Sequence, residues 1–212
     1  MDKYDKALYY EIFTNKEYAV LDEILRNSKI IFDVWWYKWY FSMYAFSINP
    51  DLQIHFFEPI PNFFEQSREN LINFDPQIIW NNTAVRANSW VSTAYVEKTK
   101  WMQSSFFRDN FMIADAEEIE VKAINLDKYI FDNKEYEIDL LKLDIEWGEF
   151  EVLADLHSFD KVKNLFLEYH LIDRFTHKDL QNLLDNLSKN YKNIQTFDNK
   201  YTDKLGYILC TN

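Results

Sequence analysis

The stretch LLKLDIEWGEFEVL, residues 140–153, places Asp144, Glu146 and Glu149 directly behind an apolar run. Carboxylates at the mouth of a strand can take a proton from a hydroxyl or hold a hard cation. Acids also gather at helix N-termini to face the macrodipole. That plainer reading accounts for Glu146 and Glu149 well and for Asp144 poorly. In FLEYH, Glu168 and His170 lie two positions apart and therefore share one face of a strand. His170 suits a base or a substrate hydrogen bond, although a lone histidine is commonly structural. Two further acids end apolar runs nearer the N-terminus: Asp33 after KIIF, and Glu58 after LQIHFF. An acid behind the second strand of a nucleoside-binding α/β fold accepts hydrogen bonds from ribose hydroxyls. A solvated strand-end carboxylate is the alternative for Glu58. Ser105, in the polar loop KTKWMQSSF, says little by itself.

Such residues matter only if the elements behind them bring them together. The spacing predicts one or two helices over residues 4–27, with Leu8, Ile12, Ala19, Leu21, Ile24 and Leu25 as the apolar stripe. KIIFDV (29–34) is a short continuous apolar run, as a strand covered on both faces requires. A helix over 39–48, a strand over 52–58, a helix from Pro61 through Leu71 and a third strand over 77–85 follow. Residues 91–124 hold short β-like pieces around a polar loop. EIDLLKLDI, a helix over 149–157, VKNLFLEYH and a helix capped by Thr176 continue the alternation. KNIQTF and LGYILCT close the chain without a crossover helix, so they should pair antiparallel. Strands alternating with helices mean βαβ units and a mostly parallel sheet. Ligands of such sheets bind beyond the carboxyl ends of the strands, which is where Asp33, Glu58, Asp144 and His170 fall.

The 212 residues fit one large domain or at most two small ones, and 48% apolar content is enough for a core. With 23 Lys and Arg against 35 Asp and Glu, the formal charge of −12 argues against nucleic-acid or anionic-membrane partners. The single cysteine, Cys210, permits no disulfide within the chain and no cysteine-based metal cluster. The N-terminus has neither the apolar run of a signal peptide nor a membrane span, and a cytoplasmic location is expected. Two counts are unusual: 2 glycines, where average usage gives roughly 15, and 7 tryptophans.

The segments IFDV…YFSMYA, FFEPIPNFFEQSRENL, NNTAV, QSSF, INLDKYI, DLLKLDIEWGEFEVL and NLFLEYH occur in the order and approximate spacing of FkbM-type methyltransferases, which the chain resembles from about Lys29 to His170. The resemblance implies a class I, Rossmann-like methyltransferase fold: α/β, with a mostly parallel seven-stranded sheet, helices on both faces and an antiparallel edge hairpin. Residues 1–28 would form a helical extension and 29–212 the methyltransferase domain. S-adenosylmethionine is the implied cofactor and a hydroxyl of a small-molecule, glycan or lipid-linked acceptor the implied methyl recipient; no metal is expected, although Asp144, Glu146 and His170 could hold one. The loop of Asp33, Trp35 and Trp39 becomes the methionine site, Glu58 the ribose ligand, and Asn82 and Ala84 the adenine edge. Asp144, Glu146, Glu149 and His170 surround the methyl-transfer centre, with Asp144 or His170 as the base, and Ser105 and Glu168 stand on the acceptor side.

The tryptophans depart from this pattern systematically. The family reads Asp-x-Gly-x-x-x-Gly after the first strand, where this chain has Trp35 and Trp39, and it has glycine after DIE, where this chain has Trp147. Trp90 and Trp101 also stand where a turn would take glycine. Three readings account for this. The indoles form a stacking platform; or they fill the cofactor pocket of an inactive, binding-only relic; or the gene reads UGA as glycine while the written sequence reads it as tryptophan. The third explains both counts at once, because exchanging six tryptophans would give 8 glycines and 1 tryptophan, with Trp80, inside a strand, the genuine one.

Overall fold

The computed structural model describes every residue except 1–2, 36–37, 88–89, 98–105, 107–115, 134–136, 147, 172–174 and 200–201. In chain order the elements are α1 (Lys3–Tyr9), α2 (Asp22–Asn27), β1 (Ile30–Trp35), α3 (Tyr40–Ile48), β2 (Gln53–Phe57), α4 (Pro61–Asn70), β3 (Ile78–Asn81), β4 (Ala84–Arg86), β5 (Val91–Glu97) and β6 (Ala116–Asn125). Then come α5 (Leu126–Asp132), β7 (Leu140–Asp144), α6 (Glu149–Ala154), β8 (Leu165–His170), α7 (His177–Leu187), β9 (Asn193–Asp198) and β10 (Leu205–Thr211).

Seven strands form one sheet in the order β3-β2-β1-β7-β8-β10-β9. β3, β2, β1, β7 and β8 run parallel, and β10 is antiparallel to both β8 and β9. The order steps outward from β1 in one direction and from β7 in the other, so the crevice at the carboxyl ends opens between these two strands. The expected terminal hairpin is present as β9 and β10.

Alternation along the strands builds a core on each face of the sheet. Ile31, Ile54 and Leu140 pack with Tyr18, Phe41 and Phe63 on one side. Phe32, Leu141 and Leu143 pack with Ile130, Leu153 and Leu183 on the other. Each such side chain contributes about 1.5–3 kcal/mol on burial. All five residues of β7 are buried, as a central parallel strand demands. Asp139, just ahead of β7, accepts the Lys29 and Ile30 amides at 2.7 and 3.0 Å and the Lys163 ammonium at 2.8 Å, pinning β1, β7 and the entry to β8 together.

Two segments differ from the periodicity. Residues 3–27 hold two α-helices, α1 and α2, joined not by a plain loop but by a π-helical turn at Tyr10–Thr14 and a 3-10 turn at Glu17–Leu21. Lys16, with φ 54°, breaks the run, because a left-handed residue cannot continue an α-helix. Its apolar residues Leu8, Ile12, Tyr18, Leu21 and Leu25 nevertheless join the core. The short β-like pieces form a second, three-stranded sheet, β4-β6-β5, in which β5 and β6 pair antiparallel and β4 pairs parallel with β6. Thr176 begins α7 as expected: its backbone N–H donates to Asp179 Oδ2 at 2.8 Å. No helix among the described residues is long and apolar enough to cross a membrane.

Candidate active site

β1 delivers Asp33 to the crevice fully buried. Its Oδ2 accepts the Ser42 hydroxyl of α3 at 2.6 Å. Its Oδ1 finds no hydrogen-bond partner among the described residues. Burial pushes Asp33 up to about 6, with Lys142 opposing and Asp144 adding to the shift. Glu58, directly beyond β2, is also fully buried. The Ile60 amide donates to its Oε1 at 2.7 Å, while Oε2 lacks a partner among the described residues. Burial holds Glu58 well above the usual carboxylate range, and Asp33 adds to the effect. Two buried carboxylates on adjoining strand ends therefore each present one unanswered oxygen. A buried acceptor left this way is costly unless a ligand donates to it.

The opposite wall of the crevice comes from β7, α6 and β8. Asp144 ends β7 and accepts Lys142 Nζ on Oδ2 at 3.0 Å. Glu149 opens α6 with its side chain fully buried, its Oε1 accepting the Ile145 amide at 3.2 Å and lying 3.3 Å from His170 Nδ1. His170 ends β8, and its Nε2 lies 3.6 Å from Glu146 and 3.8 Å from Glu168. Burial opposes charge on His170, but Glu146, Glu149 and Glu168 outweigh it and hold the imidazole well above its ordinary value, so it is the cation of this cluster. Enclosure pushes Glu146 up to about 8, with His170 opposing. Burial and then Asp144 hold Glu168 high as well. Glu146 is also one of the residues in left-handed backbone, with φ 51°.

The structure thus gathers Asp33, Asp144, Glu146, Glu149, Glu168 and His170 around one crevice, with Glu58 beside Asp33. Asn82 serves as a brace there, its amide donating to the Glu58 and Pro59 carbonyls at 2.8 and 3.2 Å. Ala84 is buried in β4, paired with Ala123. Trp35 is the last residue of β1, in register with Asp144. Trp39 caps α3, is buried and stacks on Tyr40 at 5.1 Å between ring centres. Ser105 and Trp147 lie outside the described residues. Sequence reasoning passed over Lys142 and Ser42. The signal for Lys142 was available: a lysine two positions before an acid inside an otherwise apolar run places both on one strand face.

Asp144, Glu149 and His170 each bring a ligand atom within 4.8 Å of the others. A divalent cation could bridge that spacing. The groups are instead answered from within the chain, Asp144 by Lys142 and Glu149 by His170.

A model of the methyltransferase FkbM domain matches residues 12–197. The chain is 28% identical over 196 residues to the 31-O-demethyl-FK506 methyltransferase FkbM of Streptomyces tacrolimicus, covering 78% of this chain and 75% of that protein. Among solved structures, methyltransferase FkbM from Methylobacillus flagellatus superposes with a TM-score of 0.53 at 13% identity, over 87% of this chain and 44% of that one. A SAM-dependent O-methyltransferase from Thermotoga maritima superposes with a TM-score of 0.53 at 9% identity, over 93% and 66%. These two likenesses establish the shared class I methyltransferase fold.

Proposed function

Since this chain belongs to the FkbM methyltransferase family, we propose that it transfers the methyl group of S-adenosylmethionine to a hydroxyl of a small, glycan or lipid-linked acceptor. The observation that carries the cofactor reading is the pair of unanswered carboxylate oxygens on Asp33 and Glu58. Glu58, at the end of the second strand, suits the ribose hydroxyls, and Asp33 suits the cationic methionine end. When bound, S-adenosylmethionine supplies an electrophilic methyl group. Much of the rate then rests on how well the chain's own residues hold the acceptor oxygen in line.

The acceptor proton needs a base. Asp144 is paired with Lys142, and three carboxylates favour the charged form of His170. We assign the role to Glu146, which burial raises to about 8 and which pairs with the His170 imidazole, so that it takes the proton in its ionised form, a fraction that grows as pH rises through about 8. Glu149 fixes that imidazole from its other nitrogen, and Glu168 flanks it. The pair titrates as a unit. Glu146→Gln should lower kcat by about 10²–10⁴-fold with little change in cofactor affinity. Transfer of a labelled methyl group to a panel of hydroxylated acceptors, compared with amine acceptors, checks both claims; label appearing on amines alone would refute the hydroxyl reading.

The tryptophan loop bears on whether the written chain is active. Trp80 is built into the fold: its indole N–H donates to Asp75 Oδ1 at 2.8 Å and its ring meets Phe56 and Phe64 edge-on. Trp90 is 86% exposed at the start of β5. The reading in which Trp35, Trp36, Trp39, Trp90, Trp101 and Trp147 stand for glycines and Trp80 is genuine rests on the sequence pattern; the packing of Trp80 and the exposure of Trp90 agree with it, while Trp39, buried on Tyr40, does not. The codons decide it: TGA at these positions supports glycine, and TGG at 35, 39 and 147 would leave the indole-filled, non-catalytic binding module as the better account. Restoring glycine at these three positions should create or sharpen S-adenosylmethionine binding by calorimetry.

A further inference from the structure

Lys142 occupies the middle of β7, 1% exposed, where its neighbours are leucines. Packing alone has no need of a cation there, and methionine would fill the same space. The ammonium lies 3.0 Å from Asp144 Oδ2, 5.7 Å from the Phe41 ring centre and 6.0 Å from that of Tyr18. Its backbone register partner on β1 is Asp33. A charge withdrawn from water this completely is costly unless it is paired, and carboxylates supply the pairing.

The charged and titratable groups around it come from every neighbouring element. β1 gives Asp33, and β7 itself gives Asp144. The following loop gives Glu146, with Glu149 from α6 behind it. β8 gives Glu168 and His170. The N-terminal segment brings Tyr18 and Glu17, and β10 brings Tyr207. Glu58 lies beyond Asp33. Acids outnumber cations in this set, and Lys142 is the cation that touches the strand joining the two halves of the crevice.

We propose that Lys142 is a positioning residue of the methyl-transfer site, a fixed internal cation whose ion pair orients Asp144 on the acceptor side and whose charge balances Asp33 on the cofactor side. This rests on the function proposed above. Lys142 touches neither reactant; it acts through the two aspartates. Cation–π contact with Tyr18 and Phe41 fixes where the ammonium sits, so the aspartates inherit that fixity. Of the influences on Asp33, Lys142 is the largest that favours its charged form.

The test uses the full chain carrying Lys142→Met and, because that variant removes a buried charge, Lys142→Gln as a second that keeps a polar end. Carbon-13 NMR of the aspartate carboxyls follows Asp33 directly and needs no cofactor. Both variants should move the Asp33 midpoint upward from about 6 by roughly one pH unit or more. In the glycine-restored chain, S-adenosylmethionine affinity should fall about threefold or more near pH 6.5 and recover toward pH 9. An Asp33 titration unchanged in both variants, with any affinity loss independent of pH, would overturn the proposal and leave Lys142 as packing. Absence of cofactor binding in the parent at every pH would instead count against the function itself, while the Asp33 titration still decides the role of Lys142.

Discussion

At the residue scale, the buried acids set a pH dependence whose sign follows from their shifts. Asp33 has its folded value raised from 3.8 to about 6. Between those values the native state keeps a proton that the unfolded chain has released, so stability falls as pH rises through that window. The cost reaches about 3 kcal/mol above pH 6. Affinity for a cationic cofactor runs the other way, climbing by up to about tenfold per pH unit below 6 and levelling above it. Chemical denaturation and S-adenosylmethionine titrations from pH 4.5 to 8 should therefore show opposed slopes, and Asp33→Asn should flatten both. Parallel slopes would mean that another group dominates. The same acids are legible in the sequence, because each ends an apolar run. What could not be read was which of them sit protonated. That depends on partners from other strands, as with His170, where three carboxylates reverse the effect of burial.

At the element scale, register does the positioning. Asp139 ties three strands at the end opposite the crevice, accepting from Lys29, Ile30 and Lys163. Burial opposes ionisation there, but the Lys163 ammonium and the two amides outweigh it and lower its proton affinity. Its contribution is thus present above the ordinary carboxylate value and is lost as pH falls through the depressed one. Asp139→Ala should cost about 1–3 kcal/mol, read as a lower urea midpoint at pH 7, with the deficit shrinking in acid. An unchanged midpoint would show that the strands hold register without it. β1, β2, β7 and β8 were legible because a strand buried on both faces needs a continuous apolar run. The three-stranded sheet was less so, since β4 pairs with β6 across a long stretch of chain and no local pattern encodes that partner. The break between α1 and α2 has a local cause, the left-handed Lys16, which an apolar stripe does not reveal.

At the scale of the whole molecule, the N-terminal segment is bound into the methyltransferase core. Tyr18 is 2% exposed, meets Phe41, Phe166 and Tyr44 ring to ring and faces Lys142. Tyr207 of β10 donates to Glu17 beside it. Tyr18→Ala should lower stability by about 3–5 kcal/mol. It should also weaken cofactor binding through Lys142, measured by thermal melts alongside calorimetry; a melt within about 1 kcal/mol of the parent would show that the segment is dispensable. The crevice itself draws its acids from β1, β7 and β8, consecutive in the sheet, with β1 separated in the chain from the other two by the second sheet and several helices. Pairing β1 with β7 must overcome the entropy of closing a long loop. Methyl transfer therefore doubles as a sensor of completed folding: a refolding intermediate with its helices formed and most of its apolar surface covered would still score zero in an activity assay until β7 has slotted between its neighbours.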